Sequence, residues 1–114
     1  MTLNEYFKSY YAVICTGNLE DLALYYSEGS DQYLASKQQY ETLRQQLDFD
    51  LSLKGIELLA RQDDLLIIRD QLCFSARVDG KEVVKPSTNL HSLVRESGEW
   101  KIFHSTQLPE SMVM

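Results

Sequence analysis

The apolar residues of this chain change period at residue 49, and that change most limits what it can fold into. Before it, Leu3, Phe7, Tyr10 and Ile14 recur at helical spacing, with Tyr6, Tyr11 and Val13 widening the stripe. After it, Phe49, Leu51 and Leu53 alternate with Asp50, Ser52 and Lys54, the period of a strand with one buried face. A helical block followed by a strand block predicts an α+β protein, its helices gathered on one face of a curved antiparallel sheet. The 114 residues suffice for one core, so residues 1–114 read as a single domain.

Within the helical half, Thr2 with Glu5 fits a capping box and starts helix one, which runs to about Thr16. Gly17 is expected in the left-handed position that ends it. Asn18 can cap helix two, where Glu20 and Asp21 suit the positive end of the helix dipole. Leu19, Leu22, Ala23 and Tyr26 form its apolar face and Gly29 stops it. Asp31–Leu34 reads as a brief edge strand. Ser36 with Gln39 is a second capping box, opening helix three with Tyr40, Leu43 and Leu47 buried.

In the strand half the phase slips at Gly55, after which Ile56, Leu58 and Ala60 carry the apolar face, as at a β-bulge. Asp63-Asp64 is a turn. Leu65 to Val78 is one long strand with Leu66, Ile68, Leu72, Phe74, Ala76 and Val78 on one face. Asp79-Gly80 is a strong hairpin signal. A strand from Glu82 to Arg95 follows, its start placed at an edge or bulge by Pro86. The last strand, Glu99–Gln107, holds the only Trp. Pro109 ends the regular structure, and Glu110–Met114 is expected to fray.

The formal net charge of -6 opposes a phosphate backbone and argues against nucleic acid as a partner. No apolar run is long enough to cross a bilayer, and the start Met1-Thr2-Leu3-Asn4-Glu5 lacks the basic region of a signal peptide, so a cytoplasmic location is expected, with no membrane partner. Cys15 and Cys73 match no metal or redox spacing and read as reduced, buried thiols.

Several local motifs resemble those of the nuclear transport factor 2-like superfamily, also called the SnoaL-like or cystatin-like α+β cone. They are Gly17-Asn18-Leu19-Glu20-Asp21-Leu22 at the first helix junction, Tyr25-Tyr26 at the end of helix two, and Gly98-Glu99-Trp100-Lys101-Ile102-Phe103-His104-Ser105 in the last strand. The resemblance implies a conical pocket between the helices and a concave sheet, and a homodimer through the outer sheet face. The superfamily includes isomerases, dehydratases, cyclases and carriers without catalysis. Its isomerases place a base carboxylate after helix two, where Asp31 is the only acid of Ser30–Ala35.

The candidate site residues follow from their chemistry. His91 and His104 come first, because an unperturbed histidine titrates in the range that suits acid–base work. A three-residue loop Glu96-Ser97-Gly98 sets Arg95 against Glu99 and Val94 against Trp100, puts the two histidines on opposite faces, and gives His104 the inner face of Trp100 and Ile102. A two-residue loop sets His91 across from His104. The first register pairs apolar with apolar and cation with anion and is preferred. Asp70 is the one charge on an apolar strand face: it marks a second bulge, forms a salt bridge to Arg69, Arg77 or Arg95, or lies in the pocket as a base. Tyr26, Tyr33 and Tyr40 can line a pocket and donate hydroxyls. Trp100 is large enough to anchor the core without a ligand. Two histidines do not make a metal site, and no cofactor is expected. The reading is a module that binds a small hydrophobic ligand or a protein partner in a semi-apolar pocket. The alternative is a cofactor-free isomerase, cyclase or dehydratase using Asp70 or Asp31 with His104.

Overall fold

The computed structural model describes residues 2–109. Helix α1 is Leu3–Thr16, a 3₁₀ helix spans Leu19–Leu24 and helix α2 is Gln32–Gln46; strands β1 (Asp48–Gln62), β2 (Leu65–Val78), β3 (Lys81–Glu96) and β4 (Glu99–Gln107) follow. The strands form one antiparallel sheet in the order β1-β2-β3-β4, and the helices pack on one of its faces. The expected α+β order is therefore observed. The fraying expected of Glu110–Met114 falls outside the described residues.

The start of α1 is capped as expected, Thr2 accepting from the Glu5 N–H. Its end differs. Gly17 is extended, with φ -84° and ψ -174°, and its lack of a side chain serves packing: a Cβ there would lie 2.8 Å from the Val13 Cα. Arg44 of α2 closes this end from outside, donating to the carbonyls of Ile14 (2.9 Å), Gly17 (2.8 Å) and Val13.

Asn18 caps the 3₁₀ helix, accepting from Glu20 N–H at 3.0 Å. This helix ends at Leu24, well before Gly29, and Ala23 faces solvent. Tyr25 and Tyr26 leave it to form a parallel bridge on Ile102 of β4, with Ile102 N–H donating to Tyr25 O at 2.7 Å and Ser27 N–H to Ile102 O at 2.8 Å. The edge strand expected at Asp31–Leu34 does not form; α2 begins at Gln32 and Ser36 lies inside it. The helical stripe extends backward from Leu47 and Tyr40 to Tyr33, one heptad earlier, and Gln32 is fixed by a reciprocal pair with β4. Its amide donates to Ser105 O at 3.1 Å and accepts from Ser105 N–H at 2.7 Å.

The expected bulge at Gly55 is present, and β1 carries a second register shift between Leu58 and Ala60. The Asp79-Gly80 turn has both residues left-handed, φ 53° and 78°, the I′ geometry whose twist matches the strands. Pro86 needs no donor on one side, because β4 pairs only with Asn89–Glu96.

The last hairpin overturns the preferred register. Ser97 and Gly98 are both left-handed, φ 51° and 79°, so the loop has two residues, Arg95 faces Trp100 and Glu96 faces Glu99. The Arg95 guanidinium lies 4.8 Å from the Trp100 ring centre, a cation–π contact in place of the expected ion pair. A bulge at Phe103 then shifts the pairing, so that Leu93 faces Ile102 whereas Ser92 faces His104 and His91 faces Ser105. The two histidines do take opposite faces, but His91 is the buried one and His104 the exposed one.

The core between helices and sheet centres on Phe7, Ile14, Leu22, Ile68, Leu93 and Ile102, all fully buried. Trp100 is only partly buried at its margin. Both cysteines are free and half-buried rather than fully buried. Among the described residues no helix is long and apolar enough to cross a membrane.

Candidate functional site

Three strands and one helix converge on Asp70. It stands between Ile56 of β1 and Asn89 of β3 in the register, on the face that also carries Leu66, Ile68 and Leu72 into the core, and it is 0% exposed. Its carboxylate has three partners. The Asn89 amide donates to Oδ1 at 3.0 Å, His91 Nε2 lies 2.6 Å from Oδ2, and the Tyr11 hydroxyl donates to the same Oδ2. The Tyr11 oxygen is also 3.3 Å from His91 Nε2, and Ser105 Oγ is 2.6 Å from His91 Nδ1. The carboxyl thus accepts from Tyr11 and Asn89 and has the imidazole as its third partner. An unpaired carboxylate at this depth would cost several kcal/mol.

The helix side supplies tyrosines. Burial, and next the charge of Asp70, push the Tyr11 hydroxyl well above its ordinary range, so Tyr11 acts here as a hydrogen-bond donor. Tyr10 is raised in the same way by burial and by Tyr26; the two hydroxyls are 2.6 Å apart, and Tyr26 reaches Ser36 Oγ at 3.1 Å. The Tyr40 hydroxyl is pushed up to about 12, mainly by burial. Phe7 stacks obliquely on His91, ring centres 4.6 Å apart, which fixes the imidazole from the core side.

This cluster forms one wall of a cavity of ≈ 400 Å³ between α2 and the concave sheet, with Tyr11, Tyr26 and Tyr40 on one side and Leu72, Phe74 and His91 on the other. That volume is within the range of small-molecule sites. Asp70 lies behind the wall, reached through Tyr11, Asn89 and His91.

The structure separates the remaining candidates. His104 is exposed on the outer sheet face, opposite Ser92, because the Phe103 bulge inverts the strand's phase. It does not meet Asp70. Asp31 is exposed at the start of α2 and caps nothing with its side chain. Tyr33 packs on Tyr26 and points its hydroxyl to Glu20 O at 3.4 Å, outside the cavity. Trp100 lines a different hollow, beside Leu3, Tyr6 and Leu24. Asp70 pairs with none of Arg69, Arg77 and Arg95; Arg69 instead meets Glu57 at 2.6 Å. Tyr11, Asn89 and Ser105 are site residues that sequence reasoning missed, and His91, a candidate for acid–base work, was not placed on the inner face together with Asn89. One signal pointed to two of them: a two-residue turn at Asp79-Gly80 pairs Val78 with Lys81, and counting back pairs Asp70 with Asn89 and Ile68 with His91, all on one face.

A layer of helices closing a cavity against a curled antiparallel sheet defines an α+β cone. No protein-family model and no curated protein matches the sequence. Solved structures do match in three dimensions. A nuclear transport factor 2-like protein with a cystatin-like fold from Novosphingobium aromaticivorans superposes with TM-score 0.78 at 16% identity, over 96% of this chain and 81% of that one. A scytalone dehydratase-like protein from the same species gives 0.76 at 13%, over 92% and 79%. Bd1075 of Bdellovibrio bacteriovorus gives 0.75 at 14%, over 94% of this chain, which spans 40% of that protein's length. The chain has the nuclear transport factor 2-like, cystatin-like fold.

Proposed function

We propose that this protein takes a small organic molecule into the cavity and moves a proton on it without a cofactor, as an isomerase, cyclase or dehydratase does. One observation carries the reading: a fully buried carboxylate is coupled at 2.6 Å to a histidine on the cavity wall. Buried ion pairs are weak devices for stability, whereas a desolvated acid–base couple beside a cavity suits proton transfer. Asp70 holds and orients the imidazole through Nε2. Ser105, at Nδ1, lines the cavity and connects the ring to whatever occupies it. Tyr11, kept protonated by burial, donates to charge on the carboxyl. The partner of Asp70 in this proposal is His91, in the place first expected of His104.

The test is hydrogen–deuterium exchange at the α-carbons of enolisable cyclic ketones such as 2-tetralone, followed by NMR in D₂O. The protein should accelerate exchange, and Asp70→Asn and His91→Gln should each remove the acceleration. Ketone binding without acceleration would leave a binding module and reject catalysis.

We also propose that two copies pair through the outer face of the sheet. The middle of that face carries Ile67, Cys73, Thr88, Leu90 and Ser92, and its Arg69 is already matched by Glu57; depletion of free charge is what the centre of an interface requires. Light scattering on a sizing column should give a dimer that Leu90→Arg converts to monomer. A monomeric wild-type protein would reject the pairing.

A further inference from the structure

We infer that the ligand of this cavity is an elongated anion, its acid group held by Lys85 at the mouth and a ring or hydrogen-bonding end resting against Tyr11 and His91. The inference rests on the ligand-cavity reading above and names the ligand's class.

The first argument is charge. The chain has 17 Asp and Glu against 11 Lys and Arg, yet not one acidic side chain lines the cavity. Asp70 is withdrawn behind the wall, bonded to Tyr11, Asn89 and His91. Lys85 is the one Lys or Arg among the lining residues, and no described carboxylate forms an ion pair with it. An acidic protein with a cleft of the opposite sign focuses its field on anions there. Among the described residues no acid competes for the cation with one that enters.

The second argument is shape. Residues 85, 87, 89 and 91 of β3 all line the cavity, as alternate residues on one strand face must. At ~3.3 Å per residue, Lys85 and His91 stand roughly 20 Å apart along the strand. A volume of ≈ 400 Å³ drawn over that span leaves a cross-section of roughly 20 Å², the width of one ring or alkyl chain. The stretch between is apolar on the β1 and β2 side, where Phe74 faces Lys85 in the register and stacks on Phe49 at 5.7 Å and Leu72 faces Ser87, while Ser87 and Asn89 of β3 add polar groups. A cationic mouth, a passage with one apolar wall and a polar floor in that order describe a molecule with an acid at one end and a polar ring at the other.

The experiment is titration calorimetry with a matched pair of probes, p-hydroxyphenylhexanoate and its neutral methyl amide. The wild-type protein should bind the acid three- to tenfold more tightly than the amide. Lys85→Met should erase that difference and leave the amide's affinity as it was. Lys81→Met, four positions earlier on the same strand and outside the cavity, should preserve it. Shortening the acid to p-hydroxyphenylpropanoate should cost affinity, because it cannot reach both ends. Equal affinity for acid and amide, or a difference that survives Lys85→Met, overturns the inference while leaving the ligand-cavity reading intact. Failure of both probes to bind overturns the two together.

Discussion

Replacing Asp70 by alanine removes one acceptor from three donors at a position with no access to water. The Asn89 amide, His91 Nε2 and the Tyr11 hydroxyl lose their common partner. Each orphaned donor costs about 1–3 kcal/mol, but the costs do not add, since Tyr11 and His91 are 3.3 Å apart and can turn to each other. Removing one member of a buried pair costs about 3–5 kcal/mol, and that is the expected loss. A domain of this size is stable by about 5–15 kcal/mol, so Asp70→Ala should still fold, with Tm lowered by roughly 12–20 °C at ~4 °C per kcal/mol. The triple variant Asp70→Leu, His91→Leu, Tyr11→Phe removes the buried acid, its histidine and the tyrosine hydroxyl at similar volume, leaves Asn89 and Ser105 facing the cavity, and should recover to within about 1.5 kcal/mol of wild type. Urea unfolding followed by far-ultraviolet circular dichroism and Trp100 fluorescence measures both. A single substitution costing less than about 1 kcal/mol, or a triple variant no more stable than the single one, would refute the reasoning that the cluster is buried, coupled and kept for something other than stability.

Arg44→Met should cost about 1.5–3 kcal/mol, since one charged donor group serves three carbonyls at the end of α1; urea midpoints at constant slope would check it. Gly17→Ala should destabilise by about 1–3 kcal/mol through overpacking on Val13, despite a backbone conformation that alanine adopts freely, and thermal unfolding would register the loss. Stability should also fall steeply above pH 10. The Tyr40 hydroxyl is raised from 10.0 to about 12 in the folded state, so the folded protein holds that proton more tightly than the unfolded chain. The contribution is complete below pH 10 and is lost as pH rises toward 12, at about 1.4 kcal/mol per pH unit for each such tyrosine. Tyr10 and Tyr11 act in the same direction. Urea midpoints that stay flat between pH 10 and 12 would contradict this burial.

The order of elements was legible because period and turn signals reinforce each other. Thr2 with Glu5, Asn18 and Asp79-Gly80 each mark a boundary with a local mechanism and Gly55 marks a bulge inside β1, and each is where the structure has it. The failures have physical causes too. Asp31–Leu34 carries no strong local preference, and the heptad from Tyr33 to Leu47, with the Gln32–Ser105 pair, pulls it into α2. Gly17 looked like a left-handed cap because a glycine ends many helices that way, whereas here close packing on Val13 selects it. Ser97 is not among the residues that favour a left-handed φ, so a two-residue turn was not written in its chemistry. The Phe103 bulge has no glycine to announce it. Together they decided which histidine enters the cavity. Asp70 was visible as an exception to an apolar face, and its partner was one strand register away.

The central claim is that Asp70 and His91 form a coupled pair at a ligand cavity, and ring-nitrogen NMR of the two histidines tests it most directly. His91 should show an Nε2-bound proton protected from solvent exchange, lost in Asp70→Ala, and its ring signals should move on addition of p-hydroxyphenylhexanoate. His104, exposed on the outer face, should show no protected proton and no response. Two histidines with the same unprotected, ligand-insensitive signals would contradict the account.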